Sequence, residues 1–258
     1  MVVRQQIPAL RRDHSPDLII ANAENARSGS GLSPDLYKKI RDSGVDAVTL
    51  GDHVYRDVKI TQVMAQPGEP IARPANLSSK AQGRRLIRIP PAGERTRSVI
   101  VITVLGRVFL NMPADDPFAT VDRMLEELPE SDPIVIVEAH MEATSEKAAL
   151  AHHLDGRVAL VVGTHTHVPT ADARILPRGT AFITDVGMCG PYNSVIGREV
   201  EAVVQHMTTG MPVPFSVGRG GEAMCGAVVR VDQHGCRAVS LERVQYDADH
   251  SAEPFASR

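Results

Sequence analysis

Apolar runs recur along this chain with helix-like segments between them, and that alternation restricts the fold more than any other feature. Asp17 to Ala21 reads as a strand, followed by a helix that opens on Ser33 as N-cap and Pro34 as first helical residue and runs to about Ser43. Further strands are expected at Asp46 to Leu50, Ser98 to Leu105, Pro133 to Val137, Val158 to Val162 and Ala181 to Thr184, with helical spacing over Pro117 to Leu128 and Thr144 to Leu154. Such alternation specifies a layered α/β domain. Late in the chain the pattern changes: Ala223 to Val231 and Cys236 to Val244, joined by Asp232 to Gly235, read as an antiparallel hairpin. A mixed sheet, or two packed sheets, is therefore expected rather than a purely doubly wound one. Pro67 to Leu86 reads as a loop over the sheet edge, and Gln245 to Arg258 as a polar, frayed tail.

Composition narrows the functions open to such a fold. With 258 residues, 43% of them apolar, the chain can bury one substantial core. A net charge of −3 without runs of one sign argues against a nucleic-acid surface. No apolar stretch approaches the roughly 20 residues needed to span a bilayer, and the N-terminus has no signal-peptide pattern, so a cytoplasmic protein is expected. Cys189, Cys225 and Cys236 are widely spaced and read as free or packed thiols.

Chemistry-bearing residues collect where strands end. The run at 158–162 leads into Gly163-Thr164-His165-Thr166-His167. Side chains two apart in extended backbone share a side, so both rings could face one point, and imidazole is a common ligand of divalent metals. Other strands run into Asn22-Ala23-Glu24-Asn25, Gly51-Asp52-His53 and Glu138-Ala139-His140. Singly, Glu24 would be a solvated loop residue, Asp52 a cap, and His53 and His140 packed histidines. Their coincidence at the carboxyl ends of strands, where open α/β sheets bind ligands, favours a metal site. The supply of donors exceeds what one tetrahedral ion needs and suits two metals about 3.5–4 Å apart. His14, His152, His153, His206, His234 and His250 read as surface residues, and Asp115, Asp116 and Asp172 as loop or cap residues.

The order Glu-Asn, Gly-Asp-His, His, Gly-Thr-His-Thr-His resembles the calcineurin-like metallophosphoesterases, and more narrowly their YmdB family. Arg73-Pro74-Ala75-Asn76, Glu142 to Lys147, Gly163 to Thr170, Ile183 to Met188 and Gly190-Pro191-Tyr192 carry the resemblance, which extends to about Val244. It implies one metallophosphoesterase domain over 1–244, built from two packed mixed β-sheets flanked by helices, with a tail over 245–258. It implies a two-metal, di-iron centre, with manganese or zinc as alternatives. The implied activity is hydrolysis of small phosphodiesters such as 2′,3′-cyclic nucleotides by metal-activated hydroxide. Carried over by position, Glu24 would bridge the metals, Asn25 and His167 would serve the first, and Asp52, His140 and His165 the second. His53 would be the proton donor to the leaving oxygen.

The chain departs from that family in two places. The opening strand and the aspartate after it, a ligand of the first metal, have no counterpart here, and Val2 to His14 resembles the helix that follows them. Relatives also carry asparagine where this chain has Asp52, which redistributes one carboxylate between the metals. Three outcomes are open: an ordinary enzyme whose start lies upstream, a form with one firm metal at Glu24, Asp52, His140 and His165, or a noncatalytic relative that binds a nucleotide or a protein. A missing strand would also favour self-association into a homo-oligomer.

Overall fold

The computed structural model describes residues 2–128 and 133–248. Its strands form three hydrogen-bonded sheets. The first is parallel, in the order β1 (Ile20–Asn22), β2 (Ala47–Thr49), β3 (Ile71–Ala72). The second contains β4 (Ile87–Ile89), β5 (Val99–Leu105), β6 (Ile134–His140), β7 (Leu160–Thr164), β8 (Arg174–Ile175) and β9 (Ala181–Ile183) in the order β4-β5-β6-β7-β9-β8. Its four central strands are parallel, and β4 and β8 pair antiparallel at the edges. The third joins β10 (Cys189–Pro191) to the long hairpin of β11 (Glu222–Asp232) and β12 (Arg237–Asp247).

The helices are α1 (Val2–His14), α2 (Pro34–Asp42), α3 (Ile60–Met64), α4 (Pro117–Glu126), α5 (Thr144–Leu154) and α6 (Val200–Thr209). Ser33 caps α2 as its sequence requires, its hydroxyl accepting from the Leu36 amide at 3.3 Å. Asp116 caps α4 through the Phe118 and Ala119 amides at 2.8 and 3.3 Å.

Every residue of β5 is buried. Parallel strands covered on both faces read as unbroken apolar runs, and both covers are present. On one face Val121 and Met124 of α4 and Leu150, Ala151 and Leu154 of α5 pack on Ile100, Ile102, Val104 and Val137. On the other, Ala47 and Ala72 pack on Val99, Val101 and Ile134. The mixed α/β architecture of sheets flanked by helices is the one expected. Among the described residues no helix is long and apolar enough to cross a membrane.

Two stretches differ from expectation. Within the segment 67–86 the stretch 71–77 is no surface loop: it contains β3 and is buried, while 67–68 and 78–80 on either side are exposed. Its polar residues are satisfied internally. Arg73 donates to the carbonyls of Pro74, Ser78 and Gly83 at 2.8, 3.3 and 3.2 Å. Asn76 is paired with both backbone groups of Leu105, at 2.9 and 2.8 Å. Turn-forming composition here marks a buried strap whose backbone polar groups have partners. Strand β12 also continues through Asp247, because Tyr246 is buried and donates to Asp13 of α1 at 3.1 Å. The rest of the expected tail lies outside the described residues.

Candidate metal centre

Parallel pairing brings the carboxyl ends of β5, β6, β7 and β9 to one edge, and the ends of β1 and β2 meet them there. The junction is explicit: Asn22, closing β1, donates to Glu138 of β6 at 2.6 Å. Strand β6 continues past Val137 to His140, so Glu138 and His140 stand two apart on one face.

Glu24, Asp52, His140 and His165 each offer one ligand atom, all within 4.8 Å of one another. His140 Nε2 lies 2.9 Å from Asp52 Oδ1 and 3.4 Å from Glu24 Oε2. His165 Nδ1 lies 3.2 Å from His140 Nε2 and 3.4 Å from Asp52 Oδ1. The other expected residues adjoin this group. Asn25 Nδ2 donates to Glu24 Oε1 at 3.0 Å and lies 3.1 Å from His167 Nε2. His53 Nδ1 is 2.7 Å from Asn25 Oδ1, and its backbone amide donates to Glu24 Oε2 at 3.0 Å. All seven sequence-designated residues therefore meet at one sheet edge.

The outer nitrogens of three rings are held by oxygen, which aims the inner ones. The Thr164 hydroxyl donates to Glu138 at 2.8 Å and so accepts from His140 Nδ1, 2.9 Å away. Glu142 Oε2 lies 3.2 Å from His165 Nε2. The Ile196 carbonyl lies 3.0 Å from His167 Nδ1. In the neutral ring an oxygen on the far nitrogen leaves the lone pair facing inward, as metal-ligating histidines require.

The donor set fits a cation. The inner nitrogens of His140 and His165 face each other beside the carboxylates of Glu24 and Asp52, and such a cluster needs positive charge, a metal ion or protons, between its members. Burial alone would make charging His140 harder, but the charges of Glu24, Glu138 and Asp52 and the hydrogen bond to Asp52 raise its pKa. Burial would likewise raise Asp52, yet its hydrogen bonds to His140 and His165 and the charges of His140 and His53 hold it far below the usual carboxylate range. Gly51 completes the cradle: a Cβ there would collide with Glu24 Oε2 and His140 Nε2.

The histidine pair does not adopt the extended geometry its spacing suggests. β7 ends at Thr164, and both His165 (φ 92°) and His167 (φ 66°) are in the left-handed region, where non-glycine residues are uncommon. The rings diverge, His165 toward Asp52 and His167 toward Asn25. Between them Thr166 donates its amide and hydroxyl to Asp185 Oδ2 at 3.1 and 2.8 Å. Lys147 of α5, fully buried, donates to the same oxygen at 2.9 Å. Gly163 lets β7 lie against the chain at Thr184, since a Cβ there would strike the Thr184 carbonyl and crowd Lys147.

Sequence reasoning missed this bracing set of Lys147, Asp185, Glu138, Thr164 and Glu142. Lys147 and Asp185 lie within the stretches that carry the family resemblance, which is the signal that could have drawn attention to them. Asp172 proves to be a structural clamp, accepting from Thr170 Oγ1 at 2.6 Å and from the Thr184 amide at 3.1 Å. His152, His153 and His234 are exposed and His14 and His206 half-buried, while His250 lies outside the described residues.

Fold and site define a mixed α/β protein with a metal-competent carboxylate–imidazole centre at the carboxyl edge of its sheets. The YmdB-like protein family matches over residues 1–244, and the chain belongs to that family. It is 39% identical, over 96% of its length and 92% of the relative's, to a Bacillus subtilis protein named 2′,3′-cyclic-nucleotide 2′-phosphodiesterase. It is 33% identical, over 96% of its length and 88% of the relative's, to a putative phosphatase/phosphodiesterase of Mycoplasma pneumoniae. The structure is similar to that of a hypothetical protein from Thermus thermophilus, with TM-score 0.87 and 42% identity over 95% of this chain and 92% of the other. A phosphatase from Mycoplasma pneumoniae matches at TM-score 0.87 and 31% identity, over 95% and 88% of the two chains.

Proposed function

We propose that this protein is a metal-dependent phosphodiesterase acting on small phosphodiesters, with 2′,3′-cyclic nucleotides as the substrate class. The observation that carries the reading is the four-donor cluster of buried Glu24 and His140 and half-buried Asp52 and His165. The name of the Bacillus subtilis relative supports the substrate class.

In this reading Glu24, Asp52, His140 and His165 would hold one ion, and Asn25 and His167, with Glu24, would hold a second. Carboxylate, imidazole and amide donors suit iron, manganese and zinc, and iron is the ion the family resemblance implies. When bound, such ions supply Lewis-acid polarisation of phosphoryl oxygens and make water more acidic.

The chain's own residues do the rest. Glu24 presents its two oxygens to different neighbours, Oε1 to Asn25 and Oε2 to His140 and the His53 amide. Asp52 sets the second carboxylate beside His140 and His165. His53 is about a quarter exposed, so its ring can reach substrate, and Asn25 Oδ1 anchors Nδ1. Its Nε2, 3.7 Å from Asp52 Oδ2, holds the proton given to the leaving oxygen.

His53→Ala tests the assignment. Turnover of adenosine 2′,3′-cyclic phosphate should fall roughly 10²-fold or more, the range for a lost general acid, while metal content stays at the wild-type level. Loss of metal from the variant, or unchanged turnover, would contradict the proton-donor role.

A further inference from the structure

Beside the metal centre a cleft of about 530 Å³ is lined by Asp52, Tyr55, Arg56, Phe109, Met112 and His165, together with Leu110 and Asn111. Two of these residues, Asp52 and His165, belong to the four-donor cluster, so the cleft opens directly onto it. Its volume falls within the roughly 300–1,000 Å³ of small-molecule sites.

One wall is unusual. Phe109 is 84% exposed, and its backbone sits in the left-handed region at φ 61°. An aromatic ring gains from burial, and a non-glycine residue gains nothing from a positive φ. Both costs fall on the same residue. The segment is nevertheless fastened in place. The Arg107 and Val108 amides, on the N-terminal side of Phe109, donate to Glu146 of α5 at 2.8 and 3.3 Å. On the C-terminal side Met112 packs against the core, as does Tyr55 across the cleft. Tyr55 is further fixed by donating to the Gln82 carbonyl at 2.5 Å. Strain of this sort persists where surrounding structure enforces it, typically at binding sites.

We infer that this cleft is the subsite for the planar ring of the substrate, a nucleobase, with Phe109 as its stacking face and specificity-determining residue. The inference rests on the phosphodiesterase reading, because it needs the ester to lie at Asp52 and His165. A base stacked on Phe109 covers the exposed phenyl. The exposed side chains of Arg56 and Asn111 supply donors and, from the Asn111 amide, an acceptor for the edge of the ring. Stacking tolerates any base, since each has a π-face, so the subsite selects nucleotides over ring-free esters rather than one base over another.

Steady-state hydrolysis of adenosine 2′,3′-cyclic phosphate and of glycerol 1,2-cyclic phosphate by wild type and Phe109→Ala tests this. The alanine variant should raise KM for the nucleotide, and its preference for the nucleotide over the glycerol ester, as a ratio of kcat/KM, should fall on the order of tenfold. Phe109→Trp should keep the preference. An unchanged ratio in Phe109→Ala would overturn the inference. If wild type hydrolyses neither ester, the phosphodiesterase reading fails, and calorimetry then judges the subsite separately. Adenosine 3′-monophosphate should bind wild type more tightly than glycerol 1-phosphate, and Phe109→Ala should lose that preference. Equal binding of the two by wild type, or an undiminished preference in the variant, would overturn the subsite.

Discussion

Glu24→Ala should abolish metal binding across the whole centre, where His167→Ala should remove only one ion. Glu24 is nearly fully buried, and its two oxygens face different halves of the site. No other carboxylate touches both Asn25 and His140 among the described residues. Losing an outer partner of a metal ligand typically costs 10–100-fold in affinity or activity, so loss of a shared ligand should exceed about 100-fold in turnover. Metal analysis of the two variants side by side checks the bridging role, with circular dichroism confirming the fold. Equal metal loss from both, or full retention in Glu24→Ala, would remove it.

Lys147→Met should cost stability and disorganise the histidine pair together. The Lys147–Asp185 pair is fully buried. Removing one partner of such a pair leaves an uncompensated charge and costs about 3–5 kcal/mol. In a chain of this size that corresponds to a fall in Tm on the order of 10 °C. Asp185 would keep its bonds from Thr166 and from the Gly187 amide, the latter at 2.8 Å, but without its cation. The double variant Lys147→Met/Asp185→Leu should recover only part of the Tm, since it removes the unpaired charge but leaves the Thr166 and Gly187 donors without their acceptor. It should not recover activity, because Thr166 then has no carboxylate to hold His165 and His167 in left-handed backbone. Unchanged Tm in the single variant, or wild-type activity in the double, would contradict the bracing role.

Much of this was legible in the sequence, for reasons that particular segments show. The runs at 98–105 and 158–162 are unbroken because their strands are buried on both faces, and Ser33-Pro34 marks a helix start by local chemistry. The strand-end residues Glu24, Asp52, His53, His140 and His165 could be gathered because parallel strands bring their carboxyl ends to one edge. What escaped was short or long-range. Strands β3, β4 and β8 span two or three residues, too few for a period. Helix α6 starts at Val200, and Glu199 at its N-cap position makes no side-chain cap. Within the turn-forming segment 67–86 the stretch 71–77 takes a buried course, because its polar atoms find partners that only the folded chain supplies. The Lys147–Asp185 pair joins residues 38 apart, and nothing local to either announces the other. The divergence of His165 and His167 follows from Asp185 as well, so their spacing alone suggested one shared target where the structure shows two.

The most direct test of the central claim is a metal count on the purified wild-type protein, made alongside hydrolysis of adenosine 2′,3′-cyclic phosphate. The account predicts close to two transition-metal ions per chain and release of adenosine monophosphate, both lost together on chelation. A protein that binds less than one ion per chain after reconstitution with iron, manganese or zinc, and releases no monophosphate, would contradict it.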